Sequence, residues 1–202
     1  KGYFNGLDNK HYRVELIGDT GGEYTEIMLD GNNPFTVQYN ESSTPFDPLR
    51  TSVATINIVN NYYLEDILSV HATDTIVKLI QYSGTNETTV WSGYLSPKMY
   101  NQPYENCWET ISLNANDCLT TLQYSKYTEM NGRGITNIKD IIDNIVTNCG
   151  LLDGYYWTRS KKVGTSVLLP NQLLIPEQNF YFNDTDDSWS LQEVLEEICR
   201  YL

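Results

Sequence analysis

Between residues 11 and 115 the chain repeatedly alternates apolar and polar side chains with a period of two, and that period limits the fold more than any other feature. In HYRVELI at 11–17, Tyr12, Val14 and Leu16 face one way and His11, Arg13 and Glu15 the other, which is the signature of a half-buried strand. GDTGG at 18–22 breaks the run with turn residues. A second strand is expected at 23–29, with Ile27 and Leu29 on one face and Asp30-Gly31 closing it, and the pair reads as a hairpin or as adjacent antiparallel strands. FTVQY at 35–39 lies among Pro34, Pro45 and Pro48, so it reads as an edge strand. SVATINIV at 52–59, TIVKLIQY at 75–82, TTVWSGYL at 88–95 and WETISLNA at 108–115 continue the series, with SGTNE at 83–87 joining antiparallel neighbours. A short helical turn is expected at 63–69. About seven short strands in this space predict a barrel- or sandwich-like antiparallel domain.

The period changes after residue 130. Asn131-Gly132 and Gly134 form a hinge-like turn. Ile138, Ile141, Ile142, Ile145, Val146 and Cys149 then recur at intervals of three and four, the stripe of an amphipathic helix. Thr136 or Asn137 can cap its start and Gly150 its end. Residues 151–187, with VLLP and LLIP, do not declare their structure. The last segment does: Ser190 and Glu193 have capping-box spacing. Leu191, Val194, Leu195, Ile198 and Leu202 share a face, and Glu196 and Arg200 sit four apart beside it. The expected class is therefore mainly β with two or three helices (α+β). Residues 1–130 form an antiparallel β domain and 131–202 the start of a second, smaller mixed domain, cut short at Leu202.

The formal net charge of −13 runs through both parts, so the average field repels phosphate backbones and argues against nucleic-acid binding. Lys161-Lys162, near Arg159, reads as a solvated turn. No apolar stretch reaches the length of a membrane-spanning helix. The four cysteines, Cys107, Cys118, Cys149 and Cys199, lack metal-ligand spacing. Cys107 and Cys118 flank one strand and would pair only in an oxidising compartment. His11 and His71 have no partner at ligand spacing. Neighbouring acids such as Glu65-Asp66 and Glu196-Glu197 read as solvated helix faces. Asn183, Asp184, Asp186 and Asp187 offer clustered oxygens, yet the pattern of a helix-flanked calcium loop is missing. No cofactor or metal is expected, and no residue set suits bond chemistry, so the chain reads as an assembly module and not an enzyme.

The aromatic residues are the candidate contact residues. The chain has 16 tyrosines, a residue that joins an apolar ring to a polar tip. Trp91, Tyr94, Tyr100, Tyr104 and Trp108 concentrate on one strand end and the loop after it, and Tyr155, Tyr156 and Trp157 form another group. Such rings can fill a core, anchor a subunit interface or stack on sugars.

The order of segments carries a more specific expectation. TSVATINIV at 51–59 precedes YLEDILS at 63–69, VWSGYLSPKMYNQPYE at 90–105 and WETISLNANDCLTTLQY at 108–124. The helix ITNIKDIIDNIVTNCGL and the terminal WSLQEVLEEICRYL follow. This succession resembles the amino-terminal part of tail hub (baseplate hub) proteins of tailed phages and prophages, especially of Bacteroides-type bacteria. The family pattern falls on Trp91, Gly93, Tyr94, Leu95, Pro97, Pro103, Tyr104, Ala115, Asp117 and Leu119. A departure is Asn116-Asp117-Cys118, where the family has Thr-Asp-Gly; Cys118 disfavours a left-handed turn there. The resemblance implies a trimer whose subunits each give two barrel-like domains to a ring joining the tail tube to a spike or central fibre. It places the protein in the virion tail, or in the host cytoplasm during assembly, and transfers no catalytic residue. The alternatives are a carbohydrate-binding or adhesive β domain on a bacterial surface, and a β-fold hydrolase.

Overall fold

A computed structural model describes residues 1–18, 24–40, 48–61, 71, 73–96, 108–150, 161–163, 166–168, 172–182 and 187–201. The fold is mainly β, with three helices. Seven strands make one antiparallel sheet: β1 (Gly2–Asn5), β2 (His11–Ile17), β3 (Phe35–Tyr39), β4 (Ser52–Asn60), β5 (Ile76–Ser83), β6 (Asn86–Leu95) and β7 (Glu109–Asp117). Their spatial order is β1-β2-β5-β6-β7-β4-β3, curled into a half-barrel. The chain divides into two compact units, Lys1–Glu41 with Thr51–Asp117, and Ser42–Arg50 with Cys118–Leu202.

The alternation read from sequence decides which side chains enter the curl. Val14, Ala54, Ile56, Ile58, Val77, Leu79, Trp91, Leu95, Ile111, Leu113 and Ala115 are buried together, with Phe4, Tyr12, Leu16, Leu29, Phe35 and Val37 packed against them. Each fully buried aliphatic side chain in such a core contributes about 1.5–3 kcal/mol. The convex face carries a polar ladder: Thr55 Oγ1 donates to Asn114 Oδ1 at 3.0 Å and Ser112 Oγ to Asn57 Oδ1 at 2.6 Å.

Two strand expectations change. β1 went unread, because four residues beginning with glycine show no alternation. The segment at 23–29 is not the hairpin partner of β2, which pairs with β1 and β5. Instead Val59 N donates to Met28 O and Asp30 N to Asn57 O, so this segment runs beside β4. On its other side Lys1 N donates to Thr25 O and Ile27 N to Lys1 O. Residues 25–30 thus tie together the β1 and β4 flanks of the sheet. Ile27 and Leu29 do share a face, as read from sequence, and their side chains crowd Gly2, where a Cβ would stand 2.7 Å from Leu29 Cγ.

A bulge shapes the β5–β6 hairpin. The register shifts between Leu79 and Ile80, which face Trp91 and Thr89, leaving Val90 as the extra residue. Beyond it Trp91, Gly93 and Leu95 point into the core and meet β7 only at Gly93↔Asp117, Tyr94↔Asn116 and Leu95↔Ala115.

Beyond Ser42–Arg50, the second unit runs from α1 (Cys118–Thr121) onward, earlier than the change of period at residue 130. Residues 118–130 belong there because Leu122 is buried with the helical core and Tyr127 N donates to Trp189 O. Cys118 opens a right-handed helix, so the glycine of the family pattern is not required. α2 (Ile138–Cys149) and α3 (Leu191–Tyr201) match the sequence reading. Asn137 Oδ1 caps α2 through Asp140 N, and Gly150 ends it at φ 66°. Ser190 and Glu193 form the reciprocal capping box of α3. β8 (Ile135–Asn137) pairs with β11 (Leu174–Pro176), and β9 (Lys161–Val163) with β10 (Ser166–Leu168). Lys161 and Lys162 therefore sit in a strand and not in a turn. The helical turn expected at 63–69 lies outside the described residues.

Gly93 has no room for a side chain: an added Cβ would stand 2.2 Å from Asn116 O and 2.5 Å from Trp91 Cη2. Gly93→Ala is expected to lower stability by about 2 kcal/mol, read as a shifted urea midpoint. Gly31→Ala, at a position with no heavy atom within 4 Å, should change it by about 0.5 kcal/mol or less.

Candidate functional site

Of the residues that carry the resemblance, Trp91, Gly93, Tyr94, Leu95, Ala115 and Asp117 lie on β6 and β7 around the short span where the two strands pair. Trp91 lies in the core at 8% exposure, and its Nε1 donates to Ser52 Oγ at 3.0 Å. Ser52 Oγ donates in turn to Asp117 Oδ2 at 3.0 Å, and Ser52 N donates to the same oxygen. Asp117 stands opposite Gly93 in the β6–β7 ladder. Phe35 meets the Trp91 ring edge-on at 5.8 Å between centroids. A single indole therefore reaches from β6 to β4 and β3, and a buried serine and carboxylate anchor its polar end. The alternation of each strand sends these side chains inward, and the missing Cβ of Gly93 gives the indole its space. This arrangement holds strands together. Its serine hydroxyl donates to a carboxylate and accepts from an indole N–H.

A second cluster lies on the convex face of β1, β2, β5 and β6. Arg13 forms a bidentate pair with Glu87 at 2.7 and 2.8 Å, and its Nε lies 2.9 Å from Glu15 Oε1. Lys1 Nζ reaches Glu15 at 3.0 Å and stands 3.5 Å from the centre of the Tyr24 ring. The bond to Glu87 raises the Arg13 pKa, and the same bond holds the Glu87 carboxyl below its ordinary value. His11 stacks on Tyr82 and its Nδ1 is 2.7 Å from Asn5 Oδ1. Tyr3 meets Tyr82 edge-on at 86°. These rings do not form the coplanar platform on which a sugar face would stack.

The second unit buries its own polar centre. Glu177 is fully buried, and Met130 N and Asn131 N donate to its Oε2 at 3.0 and 3.2 Å. Thr136 Oγ1 donates to its other oxygen. Tyr127 is buried beside Phe180, its hydroxyl has no hydrogen-bond partner among the described residues, and burial followed by the nearby Glu177 charge raises its pKa. A shallow pocket of about 300 Å³ is lined by Phe182, Trp189, Glu193, Glu196, Glu197 and Arg200. Arg200 lies 3.3 Å from Glu197 and 3.9 Å from Glu196.

Of the candidate aromatics, Trp91 is a core residue and does not offer its ring to a partner. Tyr94 is half-buried, and Trp108 is 61% exposed at the start of β7. Tyr100, Tyr104, Tyr155, Tyr156 and Trp157 lie outside the described residues, as do Pro97, Pro103, Cys107 and residues 183–186 of the polar run. Asp187 from that run pairs with Lys126 at 3.1 Å. Among the described residues no group of three or more His, Cys, Asp or Glu is placed to hold a metal ion, and no helix is long and apolar enough to cross a membrane. Sequence reasoning missed Ser52 and Glu177. Ser52 sits on the inward phase of β4, where a polar residue at a core position is itself the signal. Glu177 lies in a segment without period, and nothing local marks it.

No protein-family model matches the chain, and no characterised protein matches it.

Ser52→Ala leaves the Trp91 N–H and Asp117 facing each other without their bridge. The expected loss is about 2–3 kcal/mol in chemical denaturation, while Asp117→Asn, which keeps an acceptor, should cost less.

The Glu193 carboxyl is held below its ordinary value by the Ser190 backbone N–H, then by the Ser190 hydroxyl. A depressed folded pKa means that its contribution is present above the ordinary value of 4.5 and is lost as pH falls through the folded pKa. Glu193→Gln is therefore expected to destabilise at pH 7 and to matter progressively less below pH 4.5 in paired urea titrations.

Proposed function

We propose that this chain is a structural component of a phage or prophage tail hub, joining the tail tube to the spike or central fibre. The observation that carries the reading is the meeting of Trp91, Gly93, Leu95, Ala115 and Asp117. These residues are scattered through the family pattern and come together in one interlocked closure of β6, β7 and β4. A catalytic constellation would place reactive groups in a cleft. This one places an indole, a glycine and a carboxylate where a curled sheet must be held. The mainly β half-barrel suits the first ring domain that the resemblance implies.

On this reading the chain acts by shape. Three copies contribute β domains to a ring, and tube and spike proteins dock on its two ends. The acid excess keeps the phosphate backbone from adhering to the ring. The bulged, tied sheet supplies a stiff wall for that role, and no bond chemistry is required.

The test is immunogold electron microscopy of tail particles from the host strain, with an antibody raised against this chain. Label is expected at the junction of tube and spike, and loss of the gene should yield particles lacking joined tubes and spikes. Label confined to the cell surface, with intact tails in the deletion strain, would overturn the proposal in favour of an adhesive domain.

A further inference from the structure

We infer that Asn131 is a site of spontaneous deamidation and isomerisation, and that this modification loosens the turn that cages Glu177. The chain has two Asn-Gly pairs, Asn5-Gly6 and Asn131-Gly132. In such a pair the glycine nitrogen can attack the side-chain carbonyl of the asparagine, because no Cβ on the glycine restricts its approach. At Asn131 the bond from Gly132 N to Asn131 Cγ forms and the Cγ–Nδ2 bond breaks. The glycine amide proton leaves with the side-chain nitrogen as ammonia. Water then opens the succinimide ring at one of its two carbonyls. One opening leaves aspartate at 131. The other leaves isoaspartate, in which the main chain runs through the former side chain.

The fold treats the two pairs differently. Asn5 ends β1 in register with His11, and its Oδ1 lies 2.7 Å from His11 Nδ1. Gly6 N donates to Lys10 O at 2.9 Å. A Cβ at Gly6 would stand 2.5 Å from Asp8 Oδ1 and 2.7 Å from Tyr12 Cε2. The nucleophile there is bonded and crowded, so ring closure must first open the loop. Gly132 N donates to no acceptor among the described residues, and a Cβ added at Gly132 would meet no heavy atom within 4 Å beyond its chain neighbours. Ring closure at Asn131 is opposed by two neutral hydrogen bonds, from Gly134 N to Asn131 O at 2.9 Å and from Asn131 Nδ2 to Ile135 O at 3.1 Å. Neither of them holds the attacking nitrogen.

The site adjoins a buried charge. Glu177 accepts from Met130 N, Asn131 N and Thr136 Oγ1, and its own N donates to Gly134 O at 2.8 Å. In the aspartate product a carboxylate replaces the group that donated to Ile135 O. It also adds a negative charge to the residue whose N–H serves Glu177, a costly neighbour for a buried carboxylate. In the isoaspartate product the main chain is one carbon longer between residues 131 and 132, so the turn no longer matches the spacing of its bonds to Glu177. The chemistry is confined to one turn of the second unit and is independent of the tail hub assignment.

The test follows both pairs in the full chain during incubation at mildly alkaline pH. Trypsin places them on separate peptides, Gly2–Lys10 and Tyr127–Arg133. A mass gain of about 1 Da, with isoaspartate labelled by an isoaspartyl methyltransferase, is expected to accumulate at Asn131 about ten-fold faster than at Asn5, the factor set by the extra hydrogen bond on the Gly6 nitrogen. In concentrated urea, where the fold no longer distinguishes the pairs, the two rates should agree within about two-fold. Asn131→Gln, which would need a larger ring, should abolish the signal in its peptide. Asn131→Asp should lower the urea midpoint, and the deamidated fraction of the aged unsubstituted chain, separated by charge, should show a lowered midpoint as well. Equal or faster modification of Asn5 in the folded chain would overturn the inference. So would a rate ratio that urea leaves unchanged, or deamidated protein as stable as the fresh chain.

Discussion

The first unit depends on the reach of one indole. A curled sheet brings strands that are distant in the ladder across a shared interior, and a long side chain can span that interior. Trp91 does so, packing on Phe35 of β3 while its N–H is taken up by Ser52 of β4. The serine is fixed by Asp117, the last residue of β7, so three strands are joined through one buried chain of donors and acceptors. Burial raises the stakes of such a chain. Each member would be costly alone, and together they specify one arrangement. The glycine at 93 belongs to the same device, because only a residue without Cβ lets β7 and the indole approach together.

Elsewhere the same physics recurs with different residues. In the second unit a buried Glu177 gathers two backbone N–H groups and a threonine hydroxyl, and so fixes the segment 130–136 against the short helical turn Glu177–Phe180. On the convex face of the sheet, Arg13 draws Glu15 and Glu87 together, neutralising charge where β2 and β6 flank β5. The polar groups with the strongest environmental constraints thus serve strand and segment placement.

Legibility from sequence followed the strength of local period. Residues 52–59 and 108–115 were read as strands because each alternates over four or more positions, and α2 and α3 because stripe and caps agreed. β1 was invisible at four residues. The strand expected at 23–29 does not form as such: among its described residues only Leu29 makes a bridge, to Ile58, although Ile27 and Leu29 share a face. Proximity in sequence favours hairpins, and here the segment instead ties β1 to β4 through Lys1, Met28 and Asp30. The boundary set at residue 130 followed a change of period, whereas compactness follows packing, and Leu122 and Tyr127 pack with the helices. Trp91 could be flagged as an aromatic worth weighing, but a ring's face toward core or solvent depends on strand phase across the bulge at Val90.

By itself, then, the sequence determined the elements: which stretches extend, which coil, where caps stop a helix, and which side chains of each strand share a face. These are properties of φ/ψ preference and of side-chain period, and both act over a few residues. Tertiary structure decided the rest, namely the strand order, the tie at residues 25–30, the partner of Trp91 and the short span over which β6 meets β7. Those outcomes depend on contacts between residues tens of positions apart, whose energies are set by which groups a curled sheet brings face to face.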